Sequence, residues 1–255
     1  AIALLKSAIK RDRIAPAYLF VGTSGIGRKL TALAFAEAVI SDPKSSQRVR
    51  GRNHPDLMWV EPTYTDKGKL LTAAEAVGLK KRAAPQIRLE QIRAIGQFLS
   101  QPPLESKRSL VIIEEAQTMP EAAANALLKT LEEPGKATII LIAPNLSSLL
   151  PTLVSRCHLI PFYTLTKAEL MQVLCSIEQN LDRDSDQKLE QNFNIADIST
   201  EIIDLAQGSP GQAIANFAQF QSIPPQILTE IQTLPNTPVQ ALTLAKNICK
   251  ELELE

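Results

Sequence analysis

SLVIIEEAQTMPEAAANALLKTLEEPGKATIILIAPNLSSLLPTLVSRC, residues 109–157, opens on an almost wholly apolar run, Leu110 to Ile113 after Ser109. Two carboxylates, Glu114 and Glu115, stand where such a strand would end. In the segment behind them Leu127, Leu128 and Leu131 share one face of a helix. Glu132-Glu133-Pro134-Gly135 stops that helix, because proline cannot continue it and glycine suits the exit. A second apolar run, Thr138 to Ala143, reads as another buried strand, and Ser155-Arg156-Cys157 closes the unit. A strand ending in paired acids, then a helix, a strand and an arginine, is the layout of nucleotide-handling α/β modules.

Upstream, Ala17 to Val21 is a buried-strand pattern that runs into Gly22-Thr23-Ser24-Gly25-Ile26-Gly27-Arg28-Lys29. Strand, glycine-rich turn and helix are the context a phosphate-binding loop requires. In a working loop, backbone N–H groups wrap the phosphates at a helix N-terminus, whose partial positive charge favours the anion. A lysine then reaches the terminal phosphates, and the next residue, Ser or Thr, holds magnesium. Here Arg28 takes the lysine position and Lys29 the Ser/Thr position. A planar guanidinium is no copy of a compact ammonium, and Lys29 has no oxygen to offer a metal. Two readings follow: a loop kept as a structural turn, or one that binds nucleotide weakly.

NALLKTLEEP (Asn125 to Pro134) and LLPTLVSRC (Leu149 to Cys157) closely resemble the clamp-loader branch of the AAA+ ATPases, and within it the subunits of bacterial DNA polymerase III in their cyanobacterial form. The resemblance runs from Ala1 to about Phe217. It implies an α/β class: an AAA+ P-loop-type domain over 1–163 with a parallel five-stranded sheet flanked by helices, a helical lid over 164–220, and the start of an all-helical collar over 221–255. A start in mid-helix pattern without an initiator Met suggests a fragment with a truncated collar.

Motor subunits of that branch pair a magnesium-binding aspartate with a water-activating glutamate, where this chain has Glu114 and Glu115. With Lys29 opposite, the pair reads as two polar residues at a strand end, neutralised by Arg28 or Lys29. The sensor position at Ala143-Pro144-Asn145 offers only Asn145, and Gly208-Ser209-Pro210-Gly211-Gln212 has glutamine where the resemblance leads one to expect arginine. Residues 41–56 lie where relatives carry a four-cysteine zinc module. His54-Pro55-Asp56 and Trp59 still match, but no cysteine remains, and one histidine cannot make a site. No metal and no cofactor are therefore expected. Lys44, Arg48, Arg50 and Arg52 form a basic run, read as a solvated loop or a nucleic-acid or partner contact.

Ser155-Arg156-Cys157 is the motif preserved intact. The resemblance makes Arg156 an arginine finger that reaches a neighbouring subunit's ATP, with Leu153 and Cys157 packing to aim it. The alternative is an arginine in a surface ion pair. The implied partners are the motor (gamma/tau) and delta subunits in a hetero-pentamer, with the sliding clamp and primed DNA reached through the complex.

The remaining pattern predicts helices over 1–12, 87–99 (Arg88 and Arg93 outward), 166–178, 195–207 and 210–220, and further helix over 224–255. Strands are predicted at Asp56 to Glu61 and at His158 to Phe162, with His158 structural. Residues 63–86 read as an exposed loop or hairpin, and 180–194 as a polar loop. With 27 basic and 27 acidic residues, nothing global draws the chain to nucleic acid or an anionic membrane. Its three cysteines, Cys157, Cys175 and Cys249, have neither ligand spacing nor an even count for disulfides, which suits a reducing cytoplasm. No apolar run approaches the roughly 20 residues that span a bilayer. Three functions compete: a non-catalytic clamp-loader subunit, an active ATPase of the gamma/tau type with an atypical loop, and an AAA+-type adaptor outside replication. Polymerase activity would belong to the holoenzyme, since nothing here offers a carboxylate set for nucleotidyl transfer.

Overall fold

The apolar runs become a parallel sheet in the computed structural model, which describes residues 1–40, 45–66, 69–72, 75–76, 83–133, 135–181, 195–222 and 242. The sheet strands are β1 (Ala17–Val21), β2 (Leu57–Val60), β5 (Ser109–Ile113), β6 (Ala137–Ala143) and β7 (His158–Pro161), and β3 (Tyr64–Asp66) and β4 (Lys69–Leu71) form a separate antiparallel pair. Helices α1 (Ile2–Lys10), α2 (Arg28–Ile40), α3 (Ser46–Arg50), α4 (Leu89–Leu99), α5 (Glu121–Glu132) and α6 (Pro151–Val154) accompany them. The five strands are parallel and ordered β2-β5-β6-β1-β7. Strands covered on both faces read as continuous apolar runs rather than alternating ones, and β5 and β6 are buried along their whole length.

Period-two alternation sorts each strand between two cores. Leu19, Val111, Ile113, Ile139 and Leu141 face the side carrying Ile92 and Ile95 of α4 and Leu127 and Leu131 of α5. Tyr18, Phe20, Leu110, Ile112, Ile140 and Ile142 face the side carrying Leu5 of α1 and Ala32, Phe35 and Ala36 of α2. The C-terminal ends of β1, β5 and β6 thus come together at one edge. In open α/β sheets ligands bind at that edge.

The chain divides into two compact units, Ala1–Thr164 and Leu165–Glu255. The second contains α7 (Lys167–Leu181), α8 (Thr200–Leu205) and α9 (Pro210–Ser222), packed through Leu170, Leu174, Ile203, Ala206 and Ala213. The predicted capping box before α7 forms: the Thr166 N–H donates to Glu169 Oε2 at 2.9 Å and the Glu169 N–H to Thr166 Oγ1 at 3.3 Å.

Several expectations are corrected. The helix predicted over 195–207 is a short 3₁₀ turn, Ile195–Asp197, and then α8, because Ser199 takes an extended conformation (φ −72°, ψ 157°) at the N-cap. Helix α4 starts at Leu89 rather than 87. Ile87 is buried beside the bridge that joins Thr63 to Gln86. Arg88, expected outward, is a half-buried N-cap whose N–H donates to Gln91 Oε1 at 2.8 Å, whereas Arg93 is exposed. The insertion over 63–86, expected as an exposed loop or hairpin, contains the β3–β4 hairpin and the bridge from Thr63 to Gln86. His158, exposed at the start of β7, stands edge-on to Tyr18, ring centroids 5.8 Å apart. The predicted helix over 224–255 apart from Leu242, almost all of the 180–194 loop, Lys44 and Cys249 lie outside the described residues.

Candidate functional site

The glycine-rich turn between β1 and α2 keeps the backbone of a phosphate loop. Gly25 (φ 77°) and Gly27 (φ 93°) occupy the left-handed region that costs other residues most. Gly22 is required for a different reason: a Cβ there would lie 2.6 Å from the Phe162 carbonyl oxygen and 2.8 Å from Phe162 Cβ. Phe162 follows β7, and its N–H donates to Val21 O at 2.7 Å, so the first glycine of the motif is held by strand packing and not by phosphate. Gly22→Ala is expected to destabilise the chain by about 1–3 kcal/mol through overpacking. An unchanged midpoint in urea unfolding would show that these strand ends part freely.

The loop's own cations fill its mouth. Arg28, 7% exposed, turns back to the sheet and donates from Nη1 to the carbonyl of Ala143 at the C-terminal end of β6. Burial pulls its guanidinium below the ordinary arginine value, a shift that nearby Glu115 offsets in part. Lys29 forms an ion pair with Glu114, the first acid after β5, which is only 3% exposed. Glu114 also accepts a hydrogen bond from Trp59 Nε1 at 2.7 Å and lies 3.5 Å from Arg52 Nη2. Arg52 stacks on the Trp59 ring, 4.1 Å from its centroid. A buried carboxylate is costly unless it is paired and hydrogen-bonded, and Lys29, Arg52 and Trp59 surround that of Glu114 with two cations and an indole N–H.

Glu115 holds a left-handed conformation (φ 49°, ψ 47°), and its carboxylate accepts from Gln117 Nε2 at 2.9 Å. Thr31, the first hydroxyl in α2, donates back to the Gly27 carbonyl at 2.9 Å and does not replace the missing magnesium-binding oxygen. Asn145 accepts from the Ser148 N–H and the Ser147 hydroxyl, both at 2.9 Å, and is committed to its own turn. Gln212 donates to Asn216 Oδ1 at 2.8 Å. The structure therefore brings Arg28, Lys29, Glu114 and Glu115 together, but as a mutually neutralised set.

Arg156 stands apart from that set, before the N-terminal end of β7. It is exposed at the end of the short α6, with Nη2 2.7 Å from Glu132 Oε1 and Nη1 3.3 Å from the Thr152 carbonyl oxygen. Ser155 Oγ also donates to Thr152 O, at 3.1 Å. Leu153 is fully buried, and Cys157 packs against the same core. Burial pushes the Cys157 thiol up to about 11. At pH 8 only about one thiol in a thousand is then ionised, so iodoacetamide is expected to alkylate Cys157 far more slowly in the folded chain than in urea. Equal rates would contradict its burial.

The described part of the basic run is paired with acids. Arg48 forks onto Glu105 (2.8 and 3.3 Å), Arg50 pairs with Glu37 at 2.7 Å, and Arg52 lies 3.5 Å from Glu61. Sequence reasoning had no signal for Arg52 closing over Trp59. It also left unassigned Asp56, whose buried carboxylate accepts the N–H groups of Leu104, Glu105 and Ser106 at 2.6, 2.8 and 2.7 Å. His54 Nδ1 accepts the Asp56 N–H at 3.1 Å, which sets the imidazole proton on Nε2, 3.5 Å from Glu105 Oε2. Among the described residues no group of His, Cys, Asp and Glu is arranged to hold a metal ion, and no helix is long and apolar enough to cross a membrane.

Residues 1–166 match the family model described as DNA polymerase III, delta subunit, and residues 169–255 that of the cyanobacterial DNA polymerase III delta prime C-terminal domain. The chain is 36% identical over 172 residues to the DNA polymerase III subunit delta′ of Bacillus subtilis, covering 64% of this chain and 46% of that protein. It is 33% identical over 158 residues to the Pseudomonas aeruginosa subunit of the same name, covering 58% and 43%. It thus spans less than half the length of either relative. A crystal structure of a DNA polymerase III gamma-subunit-related protein from Thermotoga maritima superposes with a TM-score of 0.50 at 20% identity, over 95% of this chain and 81% of that one, which shows a common fold.

Proposed function

Since this chain belongs to the DNA polymerase III delta subunit family and carries the C-terminal domain of cyanobacterial delta prime, we propose that it is the non-catalytic subunit of a clamp loader. In this role it is a stator in a hetero-pentamer with gamma/tau motor subunits and a delta subunit. The complex spends the motors' ATP to open a sliding clamp at primed DNA in the cytoplasm. The observation that carries this reading is the ion pair of Lys29 with Glu114: the position that should hold a magnesium ligand holds an ammonium, already bound to the acid that would share the metal. Arg28 turns to the Ala143 carbonyl instead of a phosphate.

The contribution to chemistry is then made in trans. Arg156, exposed and aimed by buried Leu153, places its guanidinium at a neighbour's γ-phosphate, where it stabilises charge spreading over the equatorial oxygens. Ser155 and Cys157 flank it as packing and turn residues.

Calorimetric titration of the chain with Mg·ATP, followed by a phosphate-release assay, tests the stator reading. Neither binding nor release is expected. Binding without turnover would make Arg28 a phosphate ligand and nucleotide a resident. Turnover abolished by Glu115→Gln would overturn the proposal in favour of an active motor of the gamma/tau type.

A further inference from the structure

The two stretches that most resemble clamp loaders, Asn125 to Pro134 and Leu149 to Cys157, are separated in sequence but share one core, and at its edge Arg156 pairs with Glu132. We infer that Glu132 is a positioning residue for Arg156. The inference rests on the reading of Arg156 as an arginine finger.

Glu132 is the last residue of α5, and the preceding Leu131 is seated in the core, so the carboxylate rides on a rigid element. The carbonyl end of a helix carries partial negative charge, which adds to the attraction for a guanidinium. From the other side, the Thr152 carbonyl of α6 accepts from Nη1. Two anchors on two elements therefore hold a long side chain that would otherwise sample many rotamers. They occupy two of the five guanidinium N–H groups and leave three for a phosphate. The ordering cost of the finger is met within this chain, before any neighbour docks. Pre-paid orientation of this kind raises the rate of the chemical step rather than the affinity for substrate.

The test uses the clamp loader reconstituted with its motor subunits, sliding clamp and primed DNA, with kcat and KM for ATP measured for four variants. Glu132→Ala is expected to lower kcat about tenfold with KM unchanged. Glu132→Gln, whose amide oxygen still accepts the hydrogen bond, is expected to retain most of the rate. On an Arg156→Ala background, Glu132→Ala is expected to cost nothing further, because the group it positions is gone. A wild-type rate for Glu132→Ala beside a slow Arg156→Ala would overturn the positioning role and leave the finger standing. A wild-type rate for Arg156→Ala would remove the finger itself. Equal losses from Glu132→Ala on both backgrounds would make Glu132 a merely structural residue.

Discussion

If Arg156 is the arginine finger proposed above, Arg156→Ala is expected to leave the subunit folded and assembled while slowing hydrolysis of ATP at the neighbouring site by about 10³-fold or more. In the isolated chain the Arg156–Glu132 pair is exposed on both sides, so it contributes at most about 1 kcal/mol of stability. Its replacement should leave the thermal midpoint almost unchanged. Across a subunit interface, with water excluded, the same guanidinium would act on charge that develops only in the transition state, where fixed electrostatic partners count most. Arg156→Lys keeps a positive charge but loses the planar fork, and is expected to recover only part of the rate. Single-turnover phosphate release from the reconstituted complex, together with the melting temperature of the variant, checks both halves. A full rate in Arg156→Ala would reduce the arginine to a surface ion pair.

Asp56→Asn is expected to destabilise the Ala1–Thr164 unit by about 3 kcal/mol, at the level of a charged hydrogen-bond acceptor lost from a buried site. Asp56 Oδ1 accepts the Leu104 N–H, and Oδ2 accepts both the Glu105 and Ser106 N–H groups. An asparagine amide can supply one of those oxygens. The other position becomes an NH₂ facing backbone N–H donors, which leaves buried groups unpaired. The sign with pH follows from the same geometry. Burial alone raises the Asp56 carboxyl, but the backbone donors and the Ser106 hydroxyl outweigh it and hold the group below the ordinary aspartate value. A folded-state value below the unfolded one adds stability above about pH 3.9 that is lost as pH falls through the folded value. The gap between wild type and Asp56→Asn should therefore be widest near neutral pH and narrow in acid. Trp59 is the single tryptophan of the chain, so its fluorescence in urea titrations at pH 7 and pH 3 reports the unit that holds Asp56. Equal midpoints for the two proteins at pH 7 would show that the 104–106 loop does not depend on this carboxylate.

Much of the fold was legible because it depends on local regularities. Leu110 to Ile113 and Thr138 to Ala143 are short apolar runs of strand length, the pattern that strands buried on both faces carry. The glycines from Gly22 to Gly27 and the Thr166 to Glu169 spacing report backbone conformation directly, so the turn and the cap were readable as written. That arginine stands at position 28, where such a loop would carry lysine, and lysine at position 29, where it would carry a hydroxyl, was likewise plain.

By itself, then, the sequence determined the five strands of the parallel sheet, the glycine-rich turn that runs into Arg28 and Lys29, the family and the position of Arg156. Tertiary structure alone decided who pairs with whom. Arg52 and Trp59 reach Glu114 across 62 and 55 positions of the chain, Arg28 reaches Ala143 across 115, and Asp56 caps a loop 48 to 50 residues away. Periodicity carries no information at such separations. The helix break at Ser199 and the half-burial of Arg88 were also hidden, because each depends on one residue's local hydrogen bonding set against the packing of its neighbours. An ion pair is chosen by which charges the folded backbone brings within reach and removes from water, and that selection is made only when the sheet order is complete.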